Sequence, residues 1–181
     1  MLTLVSSTAL GGCLALDKVE LPEIPDYPPS VLDDPNTAYP SSGVIELDFG
    51  GPDPMPENLE LLVVLRDPNL RQSLDYRVFV DGAPGEPRLR VSETVESTGE
   101  LDREVPIRVP MVHLGPPRCH RIELVVSGEF TNGVDQRQPA RDNDFATMVW
   151  WVHSTDSVTS DVSLSACPIA LDPLYFREDP L

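Results

Sequence analysis

The strongest constraint on the fold is the alternation in residues 119–130, CHRIELVVSGEF. The even positions of this run carry the apolar residues Ile122, Leu124, Val126 and Phe130. Most odd positions are polar. Side chains of a β-strand point alternately to its two faces, so this spacing predicts a strand with one buried and one hydrated face. Turn signals rich in Gly, Pro and Asn lie on both sides of the run, at 115–117 and 131–133. We therefore expect a central strand of a β-sandwich.

Six other short apolar runs complete a predicted set of seven strands: residues 44–49, 59–65, 76–80, 88–92, 105–109 and 146–153. Gly, Pro, Asn and Asp separate them, and no run has a helical period. Pro106 falls inside the fifth of these runs; because proline donates no ladder hydrogen bond, we expect that strand at a sheet edge. The pattern predicts an all-β fold, an immunoglobulin-like antiparallel β-sandwich of about seven strands. A jelly roll or small barrel is the alternative.

The acidic composition limits the partners. The formal net charge of -17 argues against nucleic acid, because that affinity depends on Lys and Arg that neutralise phosphates. It also disfavours direct docking of the domain on an anionic bilayer. With 20 prolines and few aromatic residues in 181, the ordered domain should be smaller than the chain, about 110 residues.

Residues 10–13, Leu-Gly-Gly-Cys, resemble the lipobox of bacterial lipoproteins. This resemblance implies that Cys13 becomes the acylated first residue of the mature chain, with palmitate among its fatty acids. Acyl chains hold a protein on a membrane without a spanning helix. The expected location is therefore the cell envelope, at the outer membrane. A terminal tail that happens to contain a cysteine is the alternative.

The resulting organisation has four parts. Residues 1–13 form a partial lipoprotein signal peptide, and 14–42 a Pro-rich acidic linker that extends as a semi-rigid spacer. Residues 43–155 form the sandwich, and 156–181 a tail packed on it. The runs at 67–81 and 119–126 resemble uncharacterised bacterial lipoproteins with a single immunoglobulin-like domain. That resemblance identifies no active site.

The expected state of the cysteines depends on the cellular compartment. If Cys13 is acylated, Cys119 and Cys167 are the remaining pair. An exported protein meets an oxidising environment, where paired cysteines form disulfides. We therefore predict a disulfide between Cys119 and Cys167, which would fasten the tail to the sandwich. Two buried free thiols are the alternative.

Two short segments could contact a ligand. Asp142, Asn143 and Asp144 supply closely spaced oxygen atoms of the kind that calcium uses, although such a run more often forms a turn. Trp150 and Trp151 must point to opposite faces of their strand, so one should lie in the core. The other could be an exposed contact for a protein partner or a sugar ring, or could be covered by the tail.

Catalytic motifs are absent from the sequence: there is no phosphate-binding glycine loop, no His-Glu-x-x-His and no Gly-x-Ser-x-Gly. The three histidines are expected at the surface or at strand ends: His113, His120 and His153. We predict a non-catalytic domain without cofactor that binds a protein or glycan or supports the envelope. The alternative is an exported hydrolase, or an accessory domain of one, that uses carboxylates such as Asp48, Asp81, Asp142 and Asp144.

Overall fold

A computed structural model of the chain describes residues 27–51, 54–81, 88–115, 118–133 and 136–156. It contains eight strands and one short 3₁₀ helix, Met111–His113. The strands are β1 (Ser30–Asp33), β2 (Val44–Asp48), β3 (Asn58–Arg66), β4 (Leu74–Val80), β5 (Leu89–Val95), β6 (Asp102–Pro110), β7 (Arg118–Ser127) and β8 (Phe145–Thr155). No described helix is long and apolar enough to span a membrane.

The strands form two sheets, and their order defines an immunoglobulin-like sandwich. One sheet has the order β1-β3-β6 and the other β2-β8-β7-β4-β5. In such a sandwich the second and fifth strands pair in one sheet, and the third, sixth and seventh pair in the other. Here β3 and β6 fill the first set, β4, β7 and β8 fill the second, and β5 extends the second sheet. The predicted fold class is confirmed.

The opening strand is divided between the two sheets. β1 pairs antiparallel with β3, whereas β2 crosses to the other sheet and pairs parallel with β8. The other strand pairs of the described residues are antiparallel. The described part of the chain thus has one more strand than predicted, and one parallel pair.

Alternation along each strand builds the core between the sheets. In β7, Ile122, Leu124 and Val126 are fully buried in this core, as the period-two pattern predicted. In β6, Val105, Ile107 and Val109 are buried while the residues between them are exposed. β6 lies at the edge of its sheet, which confirms the position inferred from Pro106.

The folded domain begins earlier than residue 43. β1 lies inside the predicted linker, and Pro29, just before it, is buried. Beyond β1, Tyr39 packs against the core and its carbonyl accepts a hydrogen bond from Trp150 Nε1 at 3.2 Å. The linker prediction is therefore wrong for this part of the chain. The reason is that four residues between prolines suffice to complete the ladder at the open edge of β3.

Phe130 lies on the opposite face from the one predicted. β7 ends at Ser127, and Phe130 forms an isolated bridge with Pro139. It packs with Phe79 and Val125 in a second apolar cluster, separate from the core. The Ser127 hydroxyl lies within donating distance of the carbonyl oxygens of Glu129 and Asp144, and the chain turns at this point. The alternation therefore stops at the end of the strand.

Candidate functional site

A group of polar contacts lies on the side of the five-stranded sheet that faces away from the other sheet; we call this side the outer face. On β7 it presents Arg121, Glu123 and Val125, which alternate with the core residues. Strand register places Arg77 of β4 opposite Val125 and Phe79 opposite Glu123. These side chains therefore share one surface.

A short hairpin in the β7–β8 connection folds back over this surface. Its two arms pair through Thr131 N to Gln138 O at 2.9 Å and Ala140 N to Glu129 O at 2.8 Å. The hairpin reaches the sheet at Gln136, whose backbone carbonyl accepts a 2.6 Å hydrogen bond from Arg77.

Two arginines bind one carboxylate here and a third, Arg77, lies on the same face beside the hairpin. We call Arg77, Arg121, Arg137 and Glu123 the arginine cluster. Glu123 Oε2 accepts hydrogen bonds from Arg121 Nη1 and Arg137 Nε, each at 3.0 Å. The side chains of Arg121, Glu123 and Arg137 are 12–17% exposed, so their edges reach solvent.

Aromatic rings orient two of these guanidinium groups. The Arg137 guanidinium carbon lies 3.9 Å from the centroid of the Phe79 ring, and that of Arg77 lies 4.2 Å from the centroid of Phe130. Such stacking holds the planar donor groups in place and adds cation–π attraction of about 0.5–2 kcal/mol for each pair. Within the described part of the chain, the cluster joins three guanidinium groups and one carboxylate, on a protein of strongly negative net charge.

Several buried nitrogen atoms at this surface have no hydrogen-bond partner among the described residues. Arg77 Nε is buried without a hydrogen-bond partner. The same holds for Trp151 Nε1 and His153 Nε2, on residues that are 8% and 5% exposed. Register places Trp151 opposite Arg121 on β7, so both β8 residues belong to the outer face. Buried polar atoms without partners are uncommon and often mark the place of a water, ion or ligand.

The two predicted tryptophans point to opposite faces as expected. Trp150 is fully buried in the core, and Trp151 is largely buried on the outer face. In this structure neither indole is an exposed contact.

The acidic triplet forms a turn. Asp144 N donates to Arg141 O at 3.2 Å, and Asn143 adopts the left-handed conformation with φ 66°. Asp144 is buried, whereas Asp142 and Asn143 are exposed. No group of three or more His, Cys, Asp or Glu side chains that could hold a metal ion occurs among the described residues.

Two of the histidines expected at the surface or at strand ends are buried close to the ends of their strands. His120 is 3% exposed; its Nδ1 lies 2.8 Å from Asp81 Oδ2 and its Nε2 lies 2.9 Å from Gly115 O. Because both ring nitrogens face acceptors, only the doubly protonated ring can donate to both.

His153 is buried on β8. Burial and the nearby Arg90 guanidinium lower the pKa of His113, which therefore favours its neutral form. Alternation alone did not reveal these buried partners.

The four carboxylates of the hydrolase alternative fall at three separate places on the sandwich. Asp81 lies beside Arg121, whose backbone N–H donates to its Oδ1 at 3.0 Å, whereas the Asp144 carbonyl lies beside Ser127. Arg121 and Ser127 are six residues apart on β7, which is about 20 Å at 3.3 Å per residue. Asp48, opposite Thr155, lies toward the Asp81 end of the sandwich but three strands away, and Asp142 lies beside Asp144.

The cysteine predictions lie partly outside the described residues. Cys119, near the start of β7, is disulfide-bonded, although no bonded partner stands within the described ranges. Cys13 and Cys167 lie outside those ranges, so acylation and the identity of the disulfide pair stay predictions. The predicted tail and signal peptide lie outside them as well.

Comparison with known proteins adds one structural likeness. No protein-family model matches the chain, and no curated protein matches it. Among solved structures, the chain is similar to the CARDB domain of the PF1109 protein from Pyrococcus furiosus, determined in complex with di-metal ions. The two share 17% identity over 74% of this chain and 96% of that one, with a TM-score of 0.38. The fold assignment above rests on the strand order of this chain itself.

The sequence pattern did not predict the arginine cluster. Arg121 and Glu123 stand out as polar positions in an alternating strand, but Arg137 lies in a loop without a local signal. What brings the three arginines together is the return of the hairpin over the sheet, which the sequence pattern did not indicate.

Proposed function

We propose that this protein is an envelope lipoprotein, anchored in the outer membrane through Cys13, whose immunoglobulin-like domain is non-catalytic and binds a protein or glycan. The arginine cluster on the outer face is the observation that supports this function most directly. Oriented guanidinium groups with solvent-facing edges are suited to recognising acceptor groups of a partner.

The arrangement favours binding over catalysis. Glu123 Oε2 already accepts hydrogen bonds from two guanidinium groups, so this oxygen is not open to a substrate. Asp81 is engaged by His120 in the same way. The hydrolase alternative would need two carboxylates about 5–9 Å apart in a cleft. Asp48, Asp81 and the Asp142–Asp144 turn lie at three different places, and within that turn Asp142 is exposed while Asp144 is buried.

The proposed anchor is compatible with the position of the domain. The described chain starts at Tyr27, 14 residues after Cys13 (27 minus 13). At about 3.3–3.6 Å per residue, that segment can reach roughly 50 Å at most. The domain would therefore remain close to the membrane surface that carries the acyl chains.

The anchor is tested with Cys13→Ser, expressed with its natural translation start. Wild-type protein should partition into the detergent phase, and the variant should move to the aqueous phase. A variant that remains with the membrane would exclude acylation of Cys13 as the anchor.

The binding function is tested by affinity capture from envelope extract with an Arg77→Gln/Arg121→Gln variant. Arg108→Gln is the matched control, because Arg108 lies on the other sheet with its side chain 64% exposed. We expect the control to capture the same partner as the wild type, and the outer-face variant to lose it. Equal capture by all three proteins would exclude the arginine cluster as the binding site.

A further inference from the structure

We infer that one end of the sandwich, which exposes Tyr27, Leu70 and Leu101, contacts the lipid surface that carries the anchor. We call it the Leu70 end. This inference rests on the proposed anchor at Cys13 and adds the surface of the domain that meets the membrane. It combines the exposed apolar side chains, the contacts that hold them in place, and the point where the chain enters the domain.

The three apolar side chains lie at one end of the sandwich although they are far apart in the sequence. β1 and β6 pair with Arg66, the last residue of β3, from opposite sides. Neighbouring strands lie about 5 Å apart, so β1 and β6 are about 10 Å from each other here. Tyr27 precedes β1, Leu70 follows β3 and Leu101 precedes β6, so all three lie beyond this level. They are 51%, 41% and 45% exposed.

Hydrogen bonds fix the backbone that carries these side chains. Asn69 Nδ2 donates to the Tyr27 carbonyl at 2.9 Å, and the Asp67 N–H donates to the Leu101 carbonyl at 2.9 Å. Asp67 is fully buried; its Oδ1 accepts from the Asn69 N–H at 2.8 Å, and its Oδ2 lies 3.4 Å from Arg103 Nη2. The turn after β3 is therefore tied to the segments on both sides of it, and the apolar side chains are presented as one surface.

The chain enters the domain at this same end. Tyr27 is the first described residue, and it follows Cys13 by 14 residues (27 minus 13). A single exposed apolar side chain is ordinary on a protein surface, and Val112, 82% exposed, is an example at the opposite end of β3. What distinguishes the Leu70 end is that three such side chains surround the attachment point of the tether. Leucine and tyrosine side chains are suited to the interfacial layer of a bilayer.

The charges at this end favour a lipid surface without net charge. Glu96 and Glu100 are exposed between β5 and β6, and Arg71 is exposed in the turn after β3. Arg66 and Asp102 form an ion pair with each other at 2.7 Å. The acidic groups are thus in excess, and an anionic bilayer would repel them. A zwitterionic phospholipid surface brings no such repulsion, so we infer contact with this class of lipid.

The experiment compares the two ends of the domain on vesicles of phosphatidylcholine with brominated acyl chains. The full acylated chain carries either Leu70→Trp or Val112→Trp, and the wild type supplies the background because Trp150 and Trp151 are buried. Bromine quenches tryptophan emission only at close range. We expect the added Leu70→Trp emission to be quenched at least about threefold more than that of Val112→Trp, because only the Leu70 end reaches the acyl boundary. Equal quenching, or stronger quenching of Val112→Trp, would overturn the inference.

Lipid charge and protein concentration test the kind of surface. Replacement of about a third of the phosphatidylcholine by phosphatidylglycerol should lower the quenching of Leu70→Trp about twofold or more at low salt, and added salt should restore it. Quenching that rises with phosphatidylglycerol would overturn the choice of a neutral surface. Leu70→Trp emission that moves to shorter wavelength as protein concentration rises, without quenching by bromine, would place a second copy of the chain there and overturn the inference.

The anchor and the orientation of the domain are scored separately. A chain that starts at residue 13 with Cys13→Ser and an amino-terminal histidine tag is bound to the same vesicles through a nickel-chelating lipid. If wild-type protein stays in the aqueous phase while this tethered chain shows the quenching difference, the proposed anchor is wrong and the orientation stands. If wild-type protein enters the detergent phase and the quenching difference is absent in both forms, the anchor stands and the inference fails.

Discussion

Removal of β1 should destabilise the sandwich, although β1 lies in a segment whose sequence predicted a linker. We compare a chain that lacks residues 1–26 with one that lacks residues 1–42. The first retains β1 and the Tyr39 carbonyl, and the second loses both.

The magnitude follows from the contacts of the segment. β1 forms four register pairs with β3, from Ser30 opposite Arg66 to Asp33 opposite Val63. Alternate antiparallel pairs exchange two hydrogen bonds, so about four ladder bonds are lost, each with a net contribution of about 1 kcal/mol. Loss of the Tyr39 carbonyl leaves the buried Trp150 N–H without an acceptor, at a cost of about 1–3 kcal/mol. Water can hydrate the exposed β3 edge, so we expect a total loss of about 3–5 kcal/mol.

Urea unfolding followed by tryptophan fluorescence measures this difference, because Trp150 and Trp151 are both buried in the native state. With a slope of about 1.5 kcal/mol per molar urea, the midpoint of the shorter chain should fall by about 2–3 M relative to the longer one. Midpoints that agree within about 0.5 M would show that β1 adds no stability to the domain.

Three further predictions concern the core, the disulfide and alkaline pH. Leu124→Ala should lower the free energy of unfolding by about 2–5 kcal/mol, because it removes a fully buried leucine, and an unchanged urea midpoint would contradict this. A non-reduced tryptic digest should contain a peptide that joins Cys119 to Cys167, and alkylation of both cysteines without reductant would rule out the pair. Burial, and then the hydrogen bond to Glu93, raise the pKa of Tyr76 above its usual 10.0, so its stabilising effect is complete below pH 10 and is lost as pH rises through the raised value. Tyr76→Phe should therefore unfold at a higher pH than the wild type in an alkaline titration by circular dichroism, and identical transitions would show that Tyr76 does not limit alkaline stability.

Local alternation predicted the strands that follow a two-residue period. β7 and β6 each show apolar residues at every second position, and each has the predicted face buried. Pro106 also indicated the edge correctly, because a missing backbone donor excludes it from the middle of a ladder. These features depend on neighbours in sequence, which a single chain displays directly.

The features that were missed depend on distant partners. β1 is a strand because the edge of β3 is available to it, and nothing within its four residues distinguishes it from the rest of a proline-rich segment. Phe130 lies on the face opposite to the predicted one because it pairs with Pro139, beyond a turn. The arginine cluster likewise needs β4, β7 and a hairpin to meet, so its residues could be noted as polar but not assembled into one site.

The parallel pairing of β2 with β8 has a mechanical consequence. Five residue pairs, from Val44 opposite Trp151 to Asp48 opposite Thr155, join the first strand of this sheet to the last. A force that pulls the start of β2 and the end of β8 in opposite directions runs along both strands, so the evenly spaced bonds between them are loaded together in shear. An antiparallel pair pulled from adjacent ends would open one bond at a time. β2 and β8 are therefore arranged so that their pairing resists extension between the start of β2 and the end of β8.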